Sequence, residues 1–329
     1  MTCPAPQAFF ALLAVVTGLL ALTGPALSDD QVNVRFSWKL KGEYASLFMA
    51  QEKGLFKAEK LDVRLGEGAG AQAALGALTQ GREDIVVLPG IFALTAIQKG
   101  LAVKLITLYH PKTPVVLLTF PDKPARAPKD LVGMTVAHSV GETGTSYLDA
   151  FLRLNSVDPS QVKRVMLNAQ ARVPAFIQRQ VDVVSVYQTN DLPIMRETQK
   201  TDFVVMDMVQ YGLAIPGLAM VTSDQAIEKK ADVLKRFLRA AAAGVIEAKK
   251  DMPGATQALR KGWQNPPSET AVLAQVKATL DAIEVPGDHQ IGWINEKTIA
   301  DALQLLKSAG EIETVNPAGN FYTNALLSK

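Results

Sequence analysis

Past residue 30 the chain alternates short apolar runs with longer stretches whose apolar residues recur at helical spacing, a pattern that predicts an α/β fold with largely parallel sheets. Residues 32–38 form the first expected strand. A helix follows over 45–53, with Gly54 placed to supply the left-handed residue that ends it. Leu61, Val63 and Leu65 then alternate with Asp62 and Arg64, as in a half-buried strand. Gly66, Gly68 and Gly70 lead into a helix over 71–80 that stops at Gly81. Residues 84–88 are nearly all apolar, the mark of a strand covered on both faces. Together these elements make one doubly wound half.

A second series opens after 121–128, a stretch rich in proline and charge that suits a crossing between lobes. Strands are expected at 134–138, 162–167 and 181–187, a glycine-rich turn entering a helix at 141–154, and a helix at 174–180. A last strand at 218–222 precedes a long helical region over 224–250, rich in Ala, Leu, Lys and Glu. Further helices follow, punctuated by Pro266, Pro267, Pro286 and Gly287. The chain is therefore expected to return to its first lobe near residue 218. That divides it into one lobe of 29–119 with 219–329 and another of 120–218, joined by two crossings that form a hinge.

The first 28 residues change the picture. Residues 8–22 are largely apolar and end at Thr23, Gly24 and Pro25, followed by the small-x-small site Ala26, Leu27, Ser28 before Asp29 and Asp30. This reads as a secretory signal peptide over 1–28, cleaved near Ser28, although the usual positively charged start is missing. A short membrane anchor or a misplaced start are the alternatives. The only cysteine, Cys3, lies inside this segment, so the mature, periplasmic chain is expected to lack disulfides, thiol catalysis, a cysteine-ligated metal and a lipoprotein anchor. Lys and Arg total 34 against 32 Asp and Glu, which leaves no basic field for a phosphate backbone. Nucleic acid is not an expected partner.

In open α/β sheets, ligands bind beyond the carboxyl ends of strands, where the amides of helix starts point outward. Two places fit. Gly68, Ala69, Gly70 and Ala71 open a helix in the first lobe, with Pro89 just past the apolar strand beside them. Ser139, Gly141, Thr143, Gly144 and Thr145 open one in the second, where three hydroxyls add donors. Facing each other across a cleft, both sets converge on one polar ligand; otherwise the glycines only make tight turns. Neither set has the G-x-G-x-x-G order and no G-K-[ST] occurs, so no nucleotide cofactor, and no cofactor of any kind, is expected.

Trp38, Glu43 and Tyr44 follow the first strand, and an aromatic pair around a carboxylate suits a flat ligand with amino groups or a protonated ring nitrogen. The alternative is that Trp38 caps the core and Glu43 faces water. Tyr187 and Asn190 close a strand of the second lobe and offer a second polar and aromatic cluster, or else a surface turn. His110, His138 and His289 are far apart, with no H-E-x-x-H or G-x-S-x-G, so neither a metal site nor hydrolysis is expected. The three histidines read as structural, although His138 precedes the second glycine loop and so stands near the cleft. Catalysis has little to stand on.

The run W-K-L-K-G-E-Y-A-S-L-F-M-A-Q-E-K-G-L-F-K-A-E-K-L-D-V over 38–63 resembles the opening of solute-binding proteins grouped with thiamine-pyrimidine biosynthesis proteins and with nitrate, sulfonate and taurine receptors. Further matches follow in order: T-Q-G-R-E-D-I at 79–85, P-K-D-L-V-G-M-T-V at 128–136, Y-G-L-A-I-P-G-L-A-M-V-T-S at 211–223, R-F-L-R-A at 236–240 and F-Y-T-N at 321–324. The resemblance implies a type II periplasmic-binding fold, two doubly wound lobes closing on a small molecule, and delivery to the permease and ATPase of an ABC importer; the chain is expected to be a monomer. It adds weight to Trp38 and Glu43, since the pyrimidine-binding branch has an aromatic-rich start at the matching place. One branch is a synthase with a cysteine-rich motif, which this chain lacks. Glu43 and Glu142 near the cleft disfavour a small anion, so a neutral or cationic heteroaromatic ligand is expected. A pyrimidine-precursor synthase and a ligand-sensing module are the rivals.

Overall fold

The structure, a computed structural model, describes residues 1–2, 29–284 and 287–328; the segment read as a signal peptide, with Cys3, and Pro286 lie outside the described residues. Among the described residues, ten strands build two sheets. The first holds β1 (Asp30–Phe36), β2 (Leu61–Gly66), β3 (Ile85–Pro89), β4 (Val103–Leu108) and β10 (Leu218–Ser223), in the order β2-β1-β3-β10-β4. The second holds β5 (Val115–Thr119), β6 (Thr135–His138), β7 (Lys163–Met166), β8 (Val183–Tyr187) and β9 (Val204–Asp207), in the order β7-β6-β8-β5-β9. β3 is apolar and buried from Ile85 to Leu88, as a central strand must be. β2 shows the alternation of a strand with one covered face.

Both sheets are mixed rather than largely parallel. β1 pairs in parallel with β2 and β3, and β6 with β7 and β8. β10 runs antiparallel to β3 and β4, and β5 antiparallel to β8 and β9. The exceptions have one cause: β5 and β10 enter their sheets directly from a crossing between lobes, without the helical crossover that makes a neighbour parallel. The first crossing therefore lies at 109–114, ahead of β5, and not at 121–128. β5, assigned from sequence to the first lobe, is hydrogen-bonded within the second sheet. The return is at 208–217. The two crossings lie side by side, with Gly217 N–H donating to His110 O at 2.9 Å and Thr113 N–H to Ile215 O at 2.7 Å.

Thirteen helices flank the sheets among the described residues. They are α1 (Ala45–Glu52), α2 (Leu55–Ala58), α3 (Ala71–Thr79), α4 (Gly90–Gln98), α5 (Thr143–Ser146), α6 (Leu148–Leu154), α7 (Arg172–Ile177), α8 (Asp191–Gln199), α9 (Asp224–Lys229), α10 (Ala231–Lys250), α11 (Met252–Lys261), α12 (Glu269–Asp281) and α13 (Glu296–Ser308). The expected helix at 141–154 breaks at Tyr147, and that at 224–250 breaks at Lys230. None of the described helices is long and apolar enough to cross a membrane.

The core is not divided lobe by lobe. One apolar cluster runs from Leu88 and Ile91 through Leu117, Val136 and Phe151 to Leu303 on α13, bridging both sheets. A second packs Phe36, Phe56, Phe237 and Val276 against the outer face of the first sheet, and a third gathers Phe120, Phe176 and Phe203 beneath the second. α12 lies against the 3-10 turn Gly42–Tyr44 and against α8, so a helix late in the chain touches both halves.

Candidate functional site

Where the carboxyl ends of β1 and β3 meet those of β6 and β8, the two sheets leave a cavity. It encloses about 610 Å³ of empty space, including the part open to solvent. Ser37, Trp38, Lys41, Glu43, Tyr44, Ala71, Leu88, Pro89 and Leu218 line it from the first-sheet side. Gly141, Glu142, Thr143, Arg172, Val186, Tyr187 and Asp191 line it from the other.

The turn after β1 sets the first wall. Ser37 N–H donates to Val87 O at 2.8 Å, and its own carbonyl accepts from Gly70 N–H at 2.7 Å. Gly68 passes so close to β1 that a Cβ would stand 2.0 Å from the Phe36 carbonyl oxygen, which explains a glycine there by contact alone. Trp38 is half-buried and lines the cavity. Tyr44 is different from the expected wall: its ring is buried and stacks on Phe36 with centroids 4.0 Å apart. Gly70 spends its amide on Ser37 and does not line the cavity, whereas Ala71 does.

The second wall corrects the expected role of the glycine loop. Its amides are already occupied, because Glu142 caps α5 with its own carboxylate. Oε1 accepts from Gly144 N–H and Ser185 Oγ, both at 2.9 Å, and Oε2 accepts from Thr145 N–H at 2.9 Å and Thr145 Oγ1 at 2.7 Å. Gly144 lies against Ser185, where a Cβ would come within 1.8 Å of Oγ. It is a packing glycine and not a donor to a ligand. Ser139 is buried, and its carbonyl accepts from Glu142 N–H at 3.4 Å; its side chain is not part of the lining. Gly141 and Thr143 do line the cavity. Thr143 Oγ1 is 2.8 Å from the Tyr187 hydroxyl, and Gly141 lies against Gln72 and Gly70 of the facing half.

Charged groups meet where the walls join. Lys41 Nζ donates to both oxygens of Asp191, at 2.9 and 3.0 Å. Burial alone would raise the Asp191 carboxyl, but the Lys41 ammonium, with help from Arg172 and the Tyr187 amide, holds it below the usual carboxylate range. Burial pushes the Glu43 carboxyl above its ordinary value; Lys41 and hydrogen bonds from Tyr44 and Asn190 oppose the shift without cancelling it. The Tyr187 phenol is raised as well, first by burial and then by the nearby Glu43. Asn190 is fully buried behind the cavity: Nδ2 donates to Glu43 Oε2 at 2.9 Å, and its carbonyl accepts from Gln275 Nε2 at 2.7 Å. Gln275 in turn accepts from Gly42 N–H at 2.9 Å, so α12 ties the Glu43 turn to the end of β8.

Of the twelve residues expected from sequence, Trp38, Glu43, Tyr44, Ala71, Pro89, Gly141, Thr143 and Tyr187 line the cavity; Gly70, Ser139, Gly144 and Asn190 stand behind it. Lys41, Asp191 and Arg172 line the cavity without having been singled out. Arg172 starts α7, is 6% exposed, and donates through Nη1 to Ser185 O at 2.7 Å. His138, also placed near the cleft from sequence, is not in the lining. His110 lies in the first crossing, where Nε2 meets Thr279 O at 3.2 Å, and His289 stacks on Trp293 at 4.0 Å.

Comparison with known proteins covers most of this architecture. The profile of the family described as NMT1/THI5 like matches residues 41–254, more than half of the chain. A Haemophilus influenzae protein provisionally named for thiamine biosynthesis is 24% identical over 222 residues, 65% of this chain and 68% of its own length. The alkanesulfonate-binding protein SsuA of Xanthomonas axonopodis pv. citri, solved with MOPS bound, aligns with a TM-score of 0.68 at 16% identity, over 90% of this chain and 99% of its own. The periplasmic nitrate-binding protein NrtA of Synechocystis aligns with a TM-score of 0.66 at 12% identity, over 90% of this chain and 86% of its own. Two mixed sheets with flanking helices are thus the periplasmic-binding-protein fold that the sequence resemblance implied.

Proposed function

The chain belongs to the NMT1/THI5-like family, and on that premise we propose that it is the extracytoplasmic solute-binding protein of an ABC importer, holding a small heteroaromatic, pyrimidine-like molecule between its two sheets. The observation that carries the reading is the cavity itself. Both halves contribute walls to it from the carboxyl ends of their strands, and an indole, two phenols and three carboxyl groups stand around it. A ring stacks on Trp38. Glu43, whose carboxyl burial pushes above its ordinary value, accepts from an exocyclic amino group, or donates to a ring nitrogen when it carries a proton. The alkanesulfonate and nitrate binding of the structural relatives supports a receptor role, and the Haemophilus relative is named for thiamine biosynthesis, whose product carries a pyrimidine ring.

The mature chain in this reading begins near Asp29, is periplasmic and monomeric, and presents its closed form to a permease and ATPase. Its two lobes are those expected from sequence, with the first boundary moved ahead of β5 to fall within 109–114. The open form predominates without ligand, and a molecule touching both walls favours the closed one. Moving that equilibrium from 1:99 to 99:1 requires about 5.5 kcal/mol of differential binding, within reach of one stacked ring and several hydrogen bonds.

A thermal-shift screen of pyrimidines, sulfonates, nitrate and aromatic acids, followed by calorimetry on the best ligand, tests the reading. A pyrimidine-like compound is expected to give the largest shift, and Trp38→Ala is expected to weaken it at least tenfold with an unchanged circular dichroism spectrum. Stabilisation by nitrate or sulfonates alone, or equal affinity in the variant, would refute the heteroaromatic site.

A further inference from the structure

Glu142 faces the cavity, yet it is surrounded by donors. Two amides, Gly144 and Thr145, and two hydroxyls, Thr145 and Ser185, donate to its two oxygens, which fills the acceptor capacity of a carboxylate. The Arg172 guanidinium stands 3.8 Å from Oε2, and both side chains are only 7% exposed. Arg172 Nε is buried with no hydrogen-bond partner, so the positive end of this cluster is not fully used. With the carboxylate taken away, the remaining groups are the ones an oxyanion requires: convergent amides, hydroxyls and a guanidinium out of water.

The rest of the lining points the same way. Its other cation, Lys41, is committed through both bonds to Asp191, and Glu43 adds a further carboxyl without a cation of its own. An anionic ligand entering here meets carboxyl groups and cations already paired. Bringing an anion against them carries a desolvation penalty, which the buried Nε of Arg172, beside the Glu142 carboxylate, does little to offset.

We propose that Glu142 is a specificity-determining residue, a built-in anion whose carboxylate occupies an oxyanion site made by Gly144, Thr145, Ser185 and Arg172 and so closes the cavity to sulfonates, sulfate and carboxylates. The inference rests on the reading of this cavity as the ligand site. It also makes the site divergent in a defined sense: the structural relative named as an alkanesulfonate-binding protein takes an anionic ligand, and here that chemistry is supplied by the chain itself.

The test compares wild type, Glu142→Ala and Glu142→Gln by calorimetry with methanesulfonate and inorganic sulfate at low ionic strength. Glu142→Ala is expected to bind methanesulfonate at least tenfold more tightly than wild type. Glu142→Gln, which fills the same volume, should gain nothing, and adding Ser185→Ala to Glu142→Ala should weaken the new site. Should Glu142→Ala be too unstable for calorimetry, millimolar methanesulfonate is expected to raise its melting temperature above the rise seen for wild type and above that from equimolar chloride. Wild-type binding of sulfonates as tight as the variant's overturns the proposal, and so does a Glu142→Ala protein that gains neither affinity nor stabilisation. A wild type that takes a pyrimidine while Glu142→Ala gains no anion removes this inference and leaves the proposed function standing. A wild type that takes none of the screened compounds while Glu142→Ala gains the anion does the reverse.

Discussion

Trp38 and Glu43 were legible because an aromatic and a carboxyl directly after a strand have few structural uses, and the strand end is where such folds bind ligands. Arg172 was not. It opens the run R-V-P-A-F-I, where an arginine before an apolar helix face has the signature of a surface charge, and only the tertiary fold carries it inward to Ser185. Lys41 and Asp191 escaped for a related reason: they are 150 residues apart, and an ion pair between distant surface-type residues leaves no local pattern. His110 was expected to be structural, and its place in the first crossing gives that role a measurable consequence. Burial depresses its imidazole from 6.5 to about 4, a shift that the hydrogen bond to the Thr279 carbonyl opposes only in part. The folded state thus refuses a proton that the unfolded state accepts between those values. Stability is unaffected above the unfolded value and falls as the pH drops from 6.5 toward 4, by up to about 3 kcal/mol from this residue. Urea titrations at pH 7 and 4.5 should show a smaller acid loss for His110→Gln than for wild type. Equal losses would mean that the ring is accessible to protons in the folded protein.

At the scale of elements, most strands and helices followed from periodicity alone, because their burial patterns are regular: all-apolar β3, alternating β2, and a helix over 71–79 stopped before Gly81. The failures lie where tertiary pairing decides. β5, with its run Val-Val-Leu-Leu-Thr, reads equally well as the last strand of one lobe or the first of the next, and only its partners β8 and β9 settle the matter. The second glycine loop reads as a set of free amides, but a carboxylate two residues along serves them first. Close helix packing is a further feature without a local signal. Gly244 of α10 crosses α1 so closely that a Cβ would lie 2.6 Å from Ser46 O and 2.7 Å from the Ala50 side chain. Gly244→Val is expected to destabilise the protein by about 3 kcal/mol, measured by denaturant unfolding, since both neighbours are fixed parts of a helix. A loss below about 1 kcal/mol would show that α1 and α10 separate easily.

The whole molecule holds its halves together by more than the two crossings. Lys41 to Asp191, Asn190 to Glu43, and the Tyr147 hydroxyl to Thr95 Oγ1 at 2.9 Å all bridge the sheets, and one apolar cluster runs beneath them. None of these contacts could be read from the chain, because each joins elements whose mutual approach is set by the hinge. The Lys41 and Asp191 side chains are 18% and 25% exposed, partly shielded from solvent. Asp191→Asn leaves the lysine without its counter-charge, at a cost of roughly 2 kcal/mol to the closed arrangement. At a concentration of the selected compound that half-saturates wild type, small-angle scattering should therefore report a larger radius of gyration for the variant than for wild type, with unchanged secondary structure.

The central claim is that the two halves move together on a guest. With Cys3 replaced by serine the chain has no native thiol, so spin labels at Lys39→Cys and Val140→Cys, exposed positions beside the first and second walls, report the cleft alone. Pulsed electron resonance between them should give a long, broad distance distribution without ligand and a short, narrow one with the compound selected by thermal shift. A single distribution, identical with and without a compound that binds, would contradict the account.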